Sequence, residues 1–488
     1  MKNLDPRRRK WVRVRIAILG LAVFVGVLLV GRRAWELQVE RSLELAEMAQ
    51  QQYLRDIRLT PKRGTIYDRH GAELAVSVDA DSVWGSPRAM KKAGVDPREA
   101  ARRLATVLSI DVDRIAARLS KKDRHFVWIK RHITPQQAAR VEQLELEGVR
   151  LSKEAKRYYP NRELASHLLG FANIDGEGID GLELSFEDEL RGEVRAVPAI
   201  RDRRGSIVFS EQLLEGSGTQ GQDLVLTIDK TIQHITEREL SLAARTFEAA
   251  AASAVVMDPR TGELLAVANY PMFNPNEPGR ATPTQRRNRA VTDPFEPGST
   301  VKPFTVAAAL GRGSIHPEQT IDCEDGAMDV AEYTIHDSHR FEELTPAQIL
   351  GFSSNIGTAK IGRSLGRRGL YRAMRRFGFG AETGLPLPGE TRGILRHYKR
   401  WYEMDAATIA FGQGMSVTNV QLATAMSALA NDGRLMQPIL VKERLDREGQ
   451  VVSETLPRVR RRVVPQSVSG LVSDMLTAVT GPDGTGTE

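Results

Sequence analysis

The stretch FEPGSTVKPF, residues 295–304, decides how the rest of the chain is read. Proline has no amide hydrogen and is accepted without a real cost only in the first turn of a helix. Pro303 therefore sets a helix start near Ser299 or Thr300, and Pro297-Gly298 supplies the break ahead of it. At such a start the backbone N–H groups are free and the helix dipole favours developing negative charge. Residues three apart share a helical face, so the spacing predicts that Lys302 turns its amine toward the Ser299 hydroxyl. A serine hydroxyl needs a base to become a nucleophile, and a lysine serves if burial or a neighbouring cation lowers its pKa. Taken alone, Ser-x-x-Lys is a short pattern, and a plain N-cap serine would satisfy it equally well.

A second stretch changes that balance. In GFSSNIGTAKIG (351–362), Ser353-Ser354-Asn355 follows the helix-like TPAQIL. It offers a hydroxyl able to relay a proton and an amide able to hold a substrate carbonyl or the lysine. Ser299, Lys302, Ser353 and Asn355 together suit a serine acyltransferase.

Outward from there, the chain has 488 residues, enough for two or three domains, and its 41% hydrophobic and 27% charged residues are ordinary for folded protein. Its net charge of +7 comes with arginine clusters at 7–9, 286–289, 367–376 and 458–462. No aromatic-interleaved stripe or zinc-finger spacing accompanies them, so they read as solvated faces and not as a nucleic-acid footprint. Cys323 is the single cysteine, which excludes an intramolecular disulfide and a cysteine-based metal site. It reads as a small buried or half-buried residue. His336 and His339 in YTIHDSHRF have Asp337 as their only nearby acid and no zinc-enzyme pattern; with His167 they read as polar loop residues. Asp68, Asp180 and Glu183 read as turn or salt-bridge residues and not as a glycosidase pair. The glycines at 176, 178, 181 and 192 mark turns, and no dinucleotide or phosphate-loop pattern occurs. No metal and no cofactor is expected.

At the N-terminus, MKNLDPRRRKWVRVR precedes a run that is apolar from 16 to 31. That is short for a bilayer, but snorkelling arginines let residues 12–34 span. A charged, helical stretch follows where a signal peptide would have its small-residue cleavage site, so an uncleaved anchor at 16–34 is expected. The basic residues place 1–15 in the cytoplasm and the bulk of the chain outside. Residues 35–59 read as one helix leaving the membrane, 61–78 as a hairpin, and 96–149 as helical with breaks at Asp111 and Thr134-Pro135. Beyond the linker-like EGSGTQG, residues 221–252 run from strand to amphipathic helix and 253–270 read as a hairpin. The expected fold class is α+β with an antiparallel sheet: residues 60–218 form one domain and 219–488 the next.

Ser-x-x-Lys and Ser-x-Asn in this order, together with RGTIYDRHGAELA, KRYYPNRELASHLLGF, GIDGLE, DPRTGELLAVANYP and FGQGMSVTNVQLATAMSALANDG, give a chain that resembles the class B penicillin-binding proteins. The resemblance implies a non-catalytic, dimerisation-type pedestal at 60–218 and a penicillin-binding transpeptidase domain at 219–488. It implies peptidoglycan stem peptides ending in D-Ala-D-Ala as substrate and β-lactam antibiotics as inhibitors. Ser299 would attack the penultimate D-alanine, Lys302 would act as base, Ser353 would relay the proton and Asn355 would hold the donor amide. Gln413 and Gly414 would form a turn bordering the substrate cleft. SSN and GMSVTNVQLA look more like the division-specific type (FtsI) than the elongation type. That implies a septal enzyme of the bacterial plasma membrane, working with division proteins that include a membrane glycosyltransferase (FtsW-like).

The chain departs from the family in one respect. The third motif, Lys-Thr/Ser-Gly, is absent; RTG at 260–262 and ETG at 382–384 lack the lysine. Two readings compete, a fragment ending at GPDGTGTE just before that strand, which is preferred, and a natural protein lacking the motif; either implies incomplete folding and slow acylation for this chain. Rival readings are an elongation-type transpeptidase, a β-lactamase or β-lactam-sensing receptor, and a non-catalytic division scaffold. The pedestal stretches argue against the lactamase and the receptor, and the missing motif favours the scaffold.

Overall fold

The computed structural model describes residues 6–42, 54–59, 62–121, 124–192, 195–201, 207–208, 221–482 and 484–486. The chain divides into two compact units, residues 1–60 with 194–219, and residues 61–193 with 220–488.

In the first unit the helix Pro6–Trp35 continues as a π-helical turn, Glu36–Glu40, and the segment is long and apolar enough to cross a membrane. Leu21, Phe24 and Leu28 on it are all more than half exposed. The strand Leu54–Leu59 pairs antiparallel with Arg195–Arg201, which pairs with Ile207–Val208. The expected helix over 35–59 is therefore wrong at its far end. A partner strand distant in sequence supplies a ladder that local propensity does not reveal. Residues 43–53 and nearly all of the linker at 215–221 lie outside the described residues.

In the second unit the long strand Glu73–Gly85 pairs antiparallel with Val149–Tyr158 on one edge and Val127–Ile133 on the other. The helices Pro97–Leu108, Val112–Leu119 and Pro135–Gln143 cover this sheet, burying Leu104, Leu108, Ile115 and Leu119 with Val83 and Ile129. Asp96, Asp111 and Thr134 cap them, so the expected breaks at Asp111 and Thr134-Pro135 are real helix starts. The all-helical reading of 96–149 fails at Val127–Ile133, a strand whose side chains are half-buried on both faces and lack a clear alternation. The hairpin at 61–78 forms, turning at Asp68, whose carboxylate accepts from the amides of His70 and Ala72, both at 2.8 Å.

Three of the stretches that suggested a pedestal meet at one buried point. The Glu183 carboxylate, fully buried, pairs with Arg63 and with Arg157, the latter at 2.6 Å, and accepts from the Tyr159 hydroxyl at 3.1 Å. Burial alone would raise the Glu183 pKa, but Arg157 and Arg63 outweigh it and hold the carboxyl below its usual range. Asp180 caps the short helix Gly181–Ser185 that carries Glu183.

The strand Asp223–Leu226 pairs parallel with Ile66–Tyr67 and antiparallel with Val441–Leu445, so one sheet continues from the N-terminal lobe into the C-terminal half. Next come the helix Lys230–Thr246 and the expected hairpin, Ala252–Met257 against Leu264–Tyr270. The main core lies around the helix Lys302–Arg312 and the longer helix Asn355–Phe377. Phe304 packs its ring 4.9 Å from Phe377 and 5.2 Å from Phe379. Burying a phenylalanine of this kind stabilises by about 2–3 kcal/mol, which fixes the helix that follows the candidate nucleophile.

Candidate active site

The nucleophile element starts as the sequence predicts. Gly298–Val301 forms a 3-10 turn that runs into the helix Lys302–Arg312, with Pro303 in its first turn. Ser299 is exposed, whereas Lys302 is 1% exposed. Gly298 adopts a left-handed φ of 57° and donates its amide to the Gly412 carbonyl at 3.0 Å. A Cβ on Gly412 would lie 2.1 Å from the Gly298 oxygen, so this approach requires glycine. Gln413 donates its amide to Thr408, and Gly414 donates its amide to the Glu296 carboxylate at 2.8 Å. Both residues shape the turn behind Ser299 through their backbones. The Gln413 side chain is exposed.

Ser353 sits between the helix Pro346–Gly351 and the helix Asn355–Phe377, at a left-handed φ of 57°. That conformation costs a non-glycine residue about 1–2 kcal/mol and persists only where the surroundings impose it. Here the Ser353 and Ser354 amides donate back to Leu350 and Ile349, and the Ser354 hydroxyl caps Gly357 at 2.9 Å. Asp337 completes the frame: its carboxylate accepts from the Ser354 hydroxyl at 2.6 Å, the Ile356 amide at 3.0 Å and the Asn355 amide. In the sequence Asp337 reads only as an acid of a polar loop. Nothing local in YTIHDSHRF shows that the hairpin Ala327–Val330 with Tyr333–His336 returns it to a helix start. Cys323 is fully buried, as expected, with its sulfur 3.6 Å from the Ser354 hydroxyl.

The four expected residues converge. The Lys302 amine donates to the Ser353 hydroxyl at 3.0 Å, to the Asn355 Oδ1 at 2.8 Å and to the Ser353 carbonyl, and the Ser353 hydroxyl donates to Ser299 Oγ at 2.9 Å. The expected link from Lys302 toward Ser299 thus runs through Ser353. The Asn355 amide holds the lysine, one of the two uses foreseen for it. Its Oδ1 faces a group that only donates, and its Nδ2 donates to the His336 carbonyl at 3.0 Å. Burial lowers the Lys302 pKa to about 8, with the charge of Asp337 acting in the opposite direction. When the amine is neutral, its two N–H groups satisfy the Ser353 carbonyl and Asn355. Its lone pair then faces the Ser353 hydroxyl, the chain of hydrogen bonds reverses, and Ser299 can release its proton toward Lys302.

The other singled-out groups stay apart from this cluster. His167 is not the polar loop residue expected: it is buried in the short helix Ser166–Leu169, and its Nε2 donates to the Gln285 carbonyl at 2.8 Å. Burial lowers its pKa to about 4. Asp68 and Glu183 serve the turn and ion cluster described above. Among the described residues no group of three histidine, cysteine or carboxylate side chains is placed to hold a metal.

Residues 252–488 match the model of the penicillin-binding protein transpeptidase domain, and residues 58–226 match that of the penicillin-binding protein dimerisation domain. The probable peptidoglycan D,D-transpeptidase PenA of Neisseria gonorrhoeae is 36% identical, over 97% of this chain and 79% of the relative. The peptidoglycan D,D-transpeptidase FtsI of Escherichia coli K12 is 34% identical, over 99% of this chain and 81% of the relative. Stage V sporulation protein D of Bacillus subtilis is 32% identical, over 100% and 74%. Among solved structures, a peptidoglycan synthetase from Bifidobacterium adolescentis aligns with a TM-score of 0.65 and 27% identity, covering 87% of this chain and 82% of that one.

Proposed function

Because the chain belongs to the class B penicillin-binding proteins and is a serine-type peptidoglycan D,D-transpeptidase, we propose that Ser299 is its acylating nucleophile and septal cross-linking its task. In this mechanism Ser299 Oγ attacks the carbonyl of the penultimate D-alanine as its proton passes through Ser353 to the neutral Lys302 amine. The same path then returns a proton to the departing D-alanine nitrogen, leaving an ester on Ser299. An amine from a second stem peptide attacks that ester, forms the new amide and restores the serine. Asn355 and Asp337 act as positioning residues, one aiming the lysine and the other fixing the turn that carries Ser353. The backbone of Gln413 and Gly414 borders the cleft.

One observation carries this assignment: the chain Lys302 Nζ to Ser353 Oγ to Ser299 Oγ, with steps of 3.0 and 2.9 Å, ends in a buried amine that no carboxylate among the described residues touches. The test is labelling of the full chain with a reporter penicillin and mapping of the adduct. The expected result is one adduct on Ser299, absent in Ser299→Ala; an adduct elsewhere overturns the assignment.

The septal role rests on SSN at 353–355, on GMSVTNVQLA, and on the Escherichia coli relative's name. The N-terminal apolar helix supports a single-pass plasma-membrane anchor, with an FtsW-like glycosyltransferase as the proposed division partner. Depleting the protein in its host should give filamentous cells. Rounded or bulging cells would favour an elongation role, and division sustained by Ser299→Ala would make the chain a scaffold.

A further inference from the structure

Two arginine runs distant in sequence, 367–376 and 458–462, meet in the fold: the Arg376 guanidinium donates to the Arg462 carbonyl at 2.7 Å. Between them and the back of the helix that starts at Lys302 lies a cleft of about 610 Å³. Arg312, Arg372, Arg376 and Arg462 line it, over an apolar floor that includes Leu365, Phe377, Val463 and Val464. Arg375, Arg460 and Arg461 do not line the cleft but lie near enough for the charges of Arg460, Arg375 and Arg376 to act on Arg461. Partial burial lowers the Arg461 pKa, and the charges of Arg460, Arg375 and Arg376 lower it further.

Among the described residues none of these seven arginines is ion-paired with a carboxylate. Where they hydrogen-bond, they use main-chain carbonyls, as Arg375 does with Gly380, Arg460 with Thr383 and Arg462 with Asp432. Like charges about 8 Å apart repel by roughly 2 kcal/mol at an effective dielectric near 20. A surface that gathers this much uncompensated charge gains most from an occupant that brings carboxylates, which guanidinium groups bind bidentately.

We propose that this cleft is a docking site for an acidic polypeptide segment carrying an apolar anchor side chain. The arginines select the acids, and the floor accepts a side chain that a bare polyanion does not possess. A recessed cleft also fits a side chain better than it fits a flat anionic lipid surface. Ala308, Gly311 and Arg312 place the occupant about 9–15 Å along the helix from Lys302, outside the reacting cluster.

The test is fluorescence anisotropy of the full chain in neutral detergent, with a labelled short peptide of glutamates and one phenylalanine. Arg372→Glu with Arg376→Glu should weaken binding at least about ten-fold, and the milder Arg372→Gln with Arg376→Gln about three-fold. Lys92→Glu with Arg102→Glu, an equal change of net charge on exposed positions of the N-terminal lobe, should change binding less than about two-fold. Replacing the phenylalanine of the peptide by glycine should cost about five-fold. Penicillin labelling of Ser299 should persist in every variant, which establishes that they fold. The proposal is overturned if the patch and control variants weaken binding alike, or if the peptide does not bind. It also fails if the glycine peptide, inorganic polyphosphate or phosphatidylglycerol vesicles compete as well as the phenylalanine peptide at equal charge.

Discussion

Glu183 and Lys302 are both buried charges, and the chain treats them in opposite ways. Glu183 is surrounded by Arg63, Arg157 and the Tyr159 hydroxyl, and these partners keep it ionised. Lys302 receives two hydroxyl or amide oxygens and a main-chain carbonyl, none of them charged, and its pKa falls to about 8. Burial with counter-charge ties segments together; burial without it makes a base available near neutral pH. The N-terminal lobe uses the first arrangement, and the catalytic cluster uses the second.

Removing each charge should separate the two roles. Glu183→Ala leaves Arg157 buried without a carboxylate and Arg63 with Glu187 as its remaining one, and should lower stability by about 3–5 kcal/mol, read by denaturant unfolding. Lys302→Met fits the same space without a charge and should leave stability within about 1 kcal/mol, while penicillin acylation falls about 10²- to 10⁴-fold. If both variants lose mainly stability, the contrast is broken.

Ser353→Ala keeps the backbone in place but cuts the proton path, so acylation should fall about 10²-fold with little change in melting. The pH dependence sharpens the comparison further. Acylation needs the neutral amine, so its rate should rise about ten-fold per pH unit below about 8 and level off above. Because the folded lysine binds its proton less tightly than the unfolded one, stability should also rise with pH from about 8 to the ordinary lysine value of 10.5, and Lys302→Met should remove that rise. A flat acylation profile between pH 6 and 8 contradicts the role given to Lys302. Ser353→Gly relieves the left-handed strain and should add about 1 kcal/mol of stability, while acylation stays as low as in Ser353→Ala.

The same contrast explains what the sequence could convey. Ser299 with Lys302, and Ser353 with Asn355, are near neighbours on helix starts, where spacing alone predicts geometry. Arg63, Arg157 and Glu183 are spread over 120 residues, so Glu183 was legible as an ion-pair residue but its partners were not. Asp337 was invisible for a related reason, because a hairpin has to fold back before it reaches the Ser354 hydroxyl. The strands Leu54–Leu59 and Val127–Ile133 were misread as helix since their ladders come from distant partners. Helix caps at Asp111 and Thr134 are local, and they were read correctly.

The strand Asp223–Leu226 joins Ile66–Tyr67 on one edge to Val441–Leu445 on the other, and the chain passes from it directly toward the helix at Lys230. Its ladder bonds lie across the strand, so a tug along its length loads them together in shear instead of unzipping them one by one. Traction along the strand that begins at Ile66 would therefore pass into the catalytic half through this short ladder.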